Sequence, residues 1–109
     1  MPVDWDLQAR VLGEEDAVGG VRVTNVSASG LAVKTAKPLG RDAVLKVSFA
    51  PSDGGHEVQA YATVAWCLGP DQPQCGLRFI GIGEDDQERI AGLVERWLSA
   101  GGRPGVSRH

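Results

Sequence analysis

The chain has 109 residues, 42% of them apolar, which suits one compact domain and is too little for two. Fourteen Asp and Glu against eleven Lys and Arg give a net charge of −3, a balance that argues against a DNA or RNA binder relying on a basic surface to displace counterions. No apolar run reaches the ~20 residues needed to span a bilayer, and no charged-then-apolar leader is visible, so the expectation is a soluble cytoplasmic protein without membrane insertion.

Fifteen glycines and six prolines point to frequent turns between short elements. Trp5, Leu7, Ala9 and Val11 alternate with Asp6, Gln8 and Arg10, the period-2 signature of a half-buried strand. The acidic run Glu14-Glu15-Asp16 reads as a solvated hairpin tip. Val21 and Val23 alternate with Arg22 and Thr24, and a short strand follows at Leu31–Thr35. After the Pro38-Leu39-Gly40 turn, Ala43, Leu45, Val47 and Phe49 alternate with Val44, Lys46 and Ser48. Pro51-Ser52-Asp53-Gly54-Gly55 is a loop. Val58, Ala60, Ala62, Val64 and Trp66 then share one face, and Leu77 and Phe79 flank Arg78 in a last strand. Six strands at this spacing predict an all-β fold, a closed or nearly closed antiparallel barrel.

The C-terminal segment changes period. Asp85 and Glu88 have the spacing of a capping box, and Glu84-Asp85-Asp86 suits the positive end of a helix. Ile90, Leu93, Val94, Trp97 and Leu98 fall on one helical face, and Gly101-Gly102 and Pro104 end the run. The expectation is a single C-terminal α-helix covering an open end of the barrel. Its polar face carries Glu88, Arg89, Glu95 and Arg96, not the basic stripe of a membrane-surface helix. The domain is placed at residues 1–99, with 100–109 as a flexible tail.

Cys67 and Cys75 flank the turn-rich stretch 68–74 and face each other across a hairpin. A disulfide is geometrically feasible there, but in a reducing cytosol two buried thiols are expected. With His56 and His109 these cysteines show no CxxC or HxxxH spacing, so no metal site is expected. His56 reads as a solvated loop residue. No nucleophile-and-base set, P-loop or dinucleotide fingerprint is present, and an enzyme is not expected.

Asn25-Val26-Ser27-Ala28-Ser29-Gly30 lies between two expected strands. Asn and Ser can bond nearby backbone and hold a turn, and Gly30 can supply a positive φ to close it. Read with its neighbours, this stretch resembles the (Asp/Asn)xSxxG motif of the PilZ domain family. Leu39-Gly40 before a Val/Phe strand, Ala62-Thr63-Val64-Ala65-Trp66, and Gly76-Leu77-Arg78-Phe79 before a helix occur in the family's order, over residues 3 to about 98.

The resemblance implies a six-stranded antiparallel β-barrel that binds cyclic di-GMP on its outer surface through Asn25, Ser27 and Gly30. It also implies an RxxxR pair just before the first strand, because arginine combines a fork of donors for phosphate with a plane that stacks on guanine. Met1-Pro2-Val3 looks like the lead-in that follows such a pair, and no RxxxR occurs in these residues. Arg10 is the first arginine and has no partner four residues away. Either the pair is missing from the protein or it is encoded upstream of Met1. Two functions follow from the resemblance: a cyclic di-GMP receptor, or a nucleotide-independent adaptor docking on another protein in motility, pilus or signalling machinery. An exposed edge strand would offer a route to a dimer, though no residue pattern specifies one.

Overall fold

The computed structural model describes residues 1–14, 17–36, 39–51, 54–69 and 73–101. Parts of the expected hairpin tip, turns and loops (15–16, 37–38, 52–53, 70–72) lie outside these residues, as do Gly102, Pro104 and the rest of the expected tail.

The period-2 segments form six strands: β1 (Pro2–Val11), β2 (Ala17–Ser27), β3 (Gly30–Lys34), β4 (Val44–Phe49), β5 (Val58–Leu68) and β6 (Gln74–Ile82). Every pairing is antiparallel, and the order β1-β2-β3-β6-β5-β4 closes on itself through the β1–β4 ladder. Closure pairs every strand on both sides over part of its length, so no whole strand is left as an edge of the kind the sequence reading offered for a dimer.

Inward positions are dominated by β-branched and aliphatic residues. Val23, Val33, Leu45, Val47, Val58 and Val64 are wholly buried, and Phe49 nearly so. Fully burying one such side chain is worth about 1.5–3 kcal/mol, so this set supplies the main drive for closure. Trp5 stacks on Phe49 with centroids 5.9 Å apart, and Phe49 on Phe79 at 6.5 Å, tying β1, β4 and β6 together.

Strict alternation fails at bulges, and each failure re-aims side chains. Between Val23 and Asn25 the β2–β3 register slips by one, leaving Thr24 as the extra residue. Its hydroxyl donates to the Ala32 carbonyl at 3.2 Å. Period 2 counted from Val21 and Val23 would send Asn25 and Ser27 inward; instead Val26 is buried and Ser27 is exposed. A second slip between Val64 and Trp66 on β5 turns Trp66 outward, 43% exposed, correcting the expectation that it shares the buried face of Val64.

The helix α1 (Glu84–Ser99) sends Ile90 into the barrel core and packs chiefly against β2. Leu93, Val94 and Trp97 are half-buried and Leu98 is exposed, so the lid is anchored mainly by one residue. The expected capping box does not form. Gly83 is the N-cap with no side-chain cap bond, which puts Asp85 inside the first turn instead of before it. Asp86 is engaged elsewhere: Oδ1 lies 3.1 Å from Arg89 Nη1 and 3.0 Å from His56 Nε2. His56 is solvent-exposed, as expected of a loop residue, and in addition ties the segment before β5 to the helix. Gly101, at φ 95°, ends the helix as expected.

Cys67 and Cys75 are Cα partners on β5 and β6 and are joined as a disulfide, which corrects the expectation of two thiols. Their directly opposed register brings the two sulfurs together without any rearrangement of the ladder. Two glycines permit the close approach of β6 to its neighbours. A Cβ on Gly30 would lie 2.0 Å from the Leu77 carbonyl oxygen, and one on Gly76 would lie 2.2 Å from Trp66 Nε1.

Gly30→Ala is expected to cost about 3 kcal/mol in urea unfolding, and Gly76→Ala about 1 kcal/mol, because backbone blocks the first whereas a half-exposed indole can swing from the second. The double substitution Cys67→Ser/Cys75→Ser is expected to lower stability by roughly 2–3 kcal/mol, the loop-closure entropy of so short a cross-link. Reduction of the native chain should reproduce that loss in the same unfolding assay.

Candidate ligand-binding face

The hairpin joining β2 to β3 has a two-residue tip, Ala28-Ser29, closed by the Ser27–Gly30 pair. Gly30 does not take the positive φ expected from sequence. Its lack of a side chain serves the β3–β6 contact instead, since Leu77 backbone occupies the space a Cβ would need. The Ser27 hydroxyl donates to the Gly30 carbonyl at 3.3 Å and lies 3.2 Å from the Ser29 hydroxyl. The tip is also stitched to β6, where the Phe79 amide donates to the Ser29 carbonyl at 3.0 Å. These bonds hold Ser27 and Ser29 at the surface in a fixed geometry.

The Thr24 bulge sets Asn25 on the same outer side. Its Oδ1 accepts a hydrogen bond from the Met1 ammonium at 2.9 Å, and the same ammonium donates to the Val26 carbonyl at 2.9 Å. Pairing of Pro2 with Asn25 thus brings the segment ahead of β1 against the turn. Partial burial lowers the pKa of that amine from its ordinary value.

Arginine placement separates two residues that sequence alone leaves equivalent. Arg22 is held on β1: Nε donates to Asp4 Oδ1 at 2.7 Å, Nη1 pairs with Asp6, and Nη2 reaches the Asp4 carbonyl at 3.2 Å. The Asp4 hydrogen bond, with both nearby carboxylates, raises Arg22 above its ordinary pKa and keeps it a cation. Arg78 is different. It is the Cα partner of Gly30, exposed, and among the described residues it has no carboxylate partner. Arg78 and Ser29 line one shallow depression together with Phe79 and Gln87.

A cross-strand row runs outward from the turn. Asn25 pairs with Ala32, Ala32 with Gly76, and Gly76 with Trp66. The indole lies over Gly76, about two strand spacings, or ~10 Å, from Asn25. Between that indole and Asn25 stands only the small side chain of Ala32. Asn25, Ser27 and Gly30, the residues singled out from sequence, are therefore brought together, and Arg78 and Trp66 join them. Sequence reading missed these two because β3–β6 pairing is non-local and the β5 bulge reverses the face of Trp66; the Gly-x-Arg spacing of Gly76 and Arg78 is their only local signal.

Among the described residues no group of three or more His, Cys, Asp or Glu is arranged to hold a metal ion, and no helix is long and apolar enough to cross a membrane.

No curated protein matches the chain in sequence. Solved structures match its fold. The Bacillus subtilis inhibitor of motility, MotI/DgrA, aligns with a TM-score of 0.74 at 20% identity, covering 91% of this chain and 49% of that one. The K. pneumonia protein MrkH in its apo state aligns with a TM-score of 0.71 at 21% identity, covering 91% of this chain and 48% of that one. The chain thus spans about half the length of each. In sequence, residues 3–96 match the profile of the PilZ domain, and the chain belongs to the PilZ domain family.

Proposed function

We propose that this domain is a cyclic di-GMP receptor whose ligand lies on the outer face formed by the β2–β3 turn, β3 and β6. The observation that supports the reading is the register of β3 against β6, which makes Arg78, exposed and without a carboxylate partner among the described residues, the Cα partner of Gly30. PilZ domains are a cyclic di-GMP receptor family, and the chemistry here suits that ligand. Two phosphodiester charges call for a cation with several donors, which Arg78 offers. Guanine presents a polar edge and two flat faces. Asn25 and Ser27 supply short polar groups for the edge, and the exposed indole of Trp66 supplies a plane for stacking. The small side chain of Ala32 lets a flat base approach the sheet next to that indole.

In this reading Asn25 exchanges the Met1 ammonium for the ligand, or for residues preceding β1 that bind it. Arg22 takes no direct part, because Asp4 and Asp6 hold it away from the turn.

A second reading, a nucleotide-independent adaptor for a protein partner in motility, pilus or signalling machinery, draws on one observation: no RxxxR pair occurs in these residues, which leaves Arg78 as the one arginine beside the turn without a carboxylate partner among the described residues. Calorimetric titration with cyclic di-GMP separates the two. Saturable binding is expected, weakened about 10- to 100-fold by Arg78→Gln and to a lesser degree by Asn25→Ala or Ser27→Ala, with the thermal transition nearly unchanged. Heat-silent titration of the parent chain, checked by equilibrium dialysis, would rule out the receptor and leave the adaptor. Equal affinity in the parent and Arg78→Gln would remove the proposed site even if the nucleotide binds.

A further inference from the structure

On the opposite side of the barrel, β4 lies three strands around from β3. The outer face of β1, β4 and β5 there carries two cross-strand rows. Gln8 opposes Ser48, which opposes Gln59; two residues along, Arg10 opposes Lys46, which opposes Tyr61. Arg10 and Lys46 are thus directly facing cations on adjacent strands, both exposed, lining a shallow concavity with Gln8, Ser48 and Gln59.

Like charges directly opposite one another weaken a sheet. Elsewhere on this barrel the same arrangement is neutralised: Arg22 opposes Lys34, and Asp4 and Asp6 bind Arg22. Among the described residues Arg10 and Lys46 have no such carboxylate. The one carboxylate bonded within the rows, Glu57, accepts from Gln59 Nε2 at 3.5 Å and not from either cation. A protein with three more acidic than basic charges thus keeps, among the described residues, a repulsive pair without a carboxylate partner on this sheet face.

We propose that this face docks an acidic, extended segment of a partner protein. The occupant follows from spacing and from what the sheet lacks. Backbone amides of β4 are spent in ladders to both neighbours. The N-cap of α1, Gly83, borders this face beside Lys46, Gln59 and Tyr61, but the first turn of that helix carries Glu84, Asp85 and Asp86, which already set negative charge at its positive end and disfavour a single phosphate there. The donors are instead spread as side chains in rows ~7 Å apart along the strands and ~5 Å apart across them. Carboxylates on alternate residues of an extended chain repeat at that same ~7 Å. Arg10 and Lys46 supply the charge, Gln8, Ser48 and Gln59 supply neutral donors, and exposed Tyr61 adds a hydroxyl and an apolar ring face. Such contacts set register and encounter rate more than raw affinity, and they weaken with salt. The surface lies away from the β2–β3 turn, so it can be occupied whether or not a nucleotide is bound there.

The test is amide NMR on the full chain, titrated with a peptide of alternating glutamate and alanine. Shifts are expected at Gln8, Arg10, Lys46, Ser48, Gln59 and Tyr61, reduced at high salt. Affinity should fall about tenfold in Arg10→Gln/Lys46→Gln and stay unchanged in Arg78→Gln. The double variant should also unfold at higher temperature than the parent, because it removes a repulsion. The proposal is overturned if the peptide leaves these amides unmoved, if it shifts the Arg22 or Arg78 face instead, or if inorganic phosphate moves the same amides more strongly. It is equally overturned if they shift with protein concentration alone, which would mark a contact between copies of this chain, or if the double variant is less stable than the parent.

Discussion

One extra residue in β2 governs what this barrel can present to a ligand. Thr24 interrupts the alternation that Val21 and Val23 establish, and its hydroxyl satisfies the Ala32 carbonyl at the point where the ladder is distorted. Without that insertion Asn25 would compete for core space with Val26, and the polar ends of the hairpin would face the apolar interior. A buried amide and hydroxyl without partners would each cost about 1–3 kcal/mol. With it, Val26 completes the core and Asn25 and Ser27 reach solvent on the same side as Arg78. Core packing and the candidate site are thus two outcomes of a single register slip, since one strand cannot fill both roles at strict period 2.

Much of the architecture was legible because it depends on local patterning. Alternation located all six strands, and the change of period at Glu84 located the helix, since both signals are averages over many residues. What the chain concealed depends on single residues or on distant partners. The face of Trp66 reverses because of a bulge whose cause lies in pairing with β6. The role of Gly30 cannot be read locally either: sequence suggests a turn dihedral, whereas the barrel uses the glycine to let Leu77 backbone come close. Composition also misled on the cysteines, where an argument from compartment favoured thiols and directly opposed register produced a disulfide. Asn25, Ser27 and Gly30 were visible as a motif, but the pairing of Gly30 with Arg78 on β6 appears only once the sheet has closed.

The two sides of the barrel illustrate different uses of charge. Around β1 and β2, Arg22 is embraced by Asp4 and Asp6, an arrangement that spends charge on holding strands and leaves little for a visitor. Beside the hairpin and on the β4 side, Arg78, Arg10 and Lys46 have no carboxylate partner among the described residues. Exposed pairs contribute little to stability, typically under about 1 kcal/mol, so the distribution is better understood as a pattern of availability than of fold support. The helix fits the same division. It is fastened by Ile90 and by the His56–Asp86–Arg89 cluster, and its N-terminal end borders both faces, through Gln87 beside Arg78 and Gly83 beside Lys46.

The bond between Cys67 and Cys75 has an architectural consequence for the chain between them. Because β5 and β6 are fastened at the very base of their connection, the intervening residues need not hold the strands in register. That stretch is released from the duty of bringing its ends together, a task whose difficulty grows only slowly with length in any case. A longer or differently composed segment spliced there, even one nicked by a protease, would leave both strands covalently attached and the barrel whole. Among the joins in this barrel, it is the natural place for descendants of the sequence to lengthen.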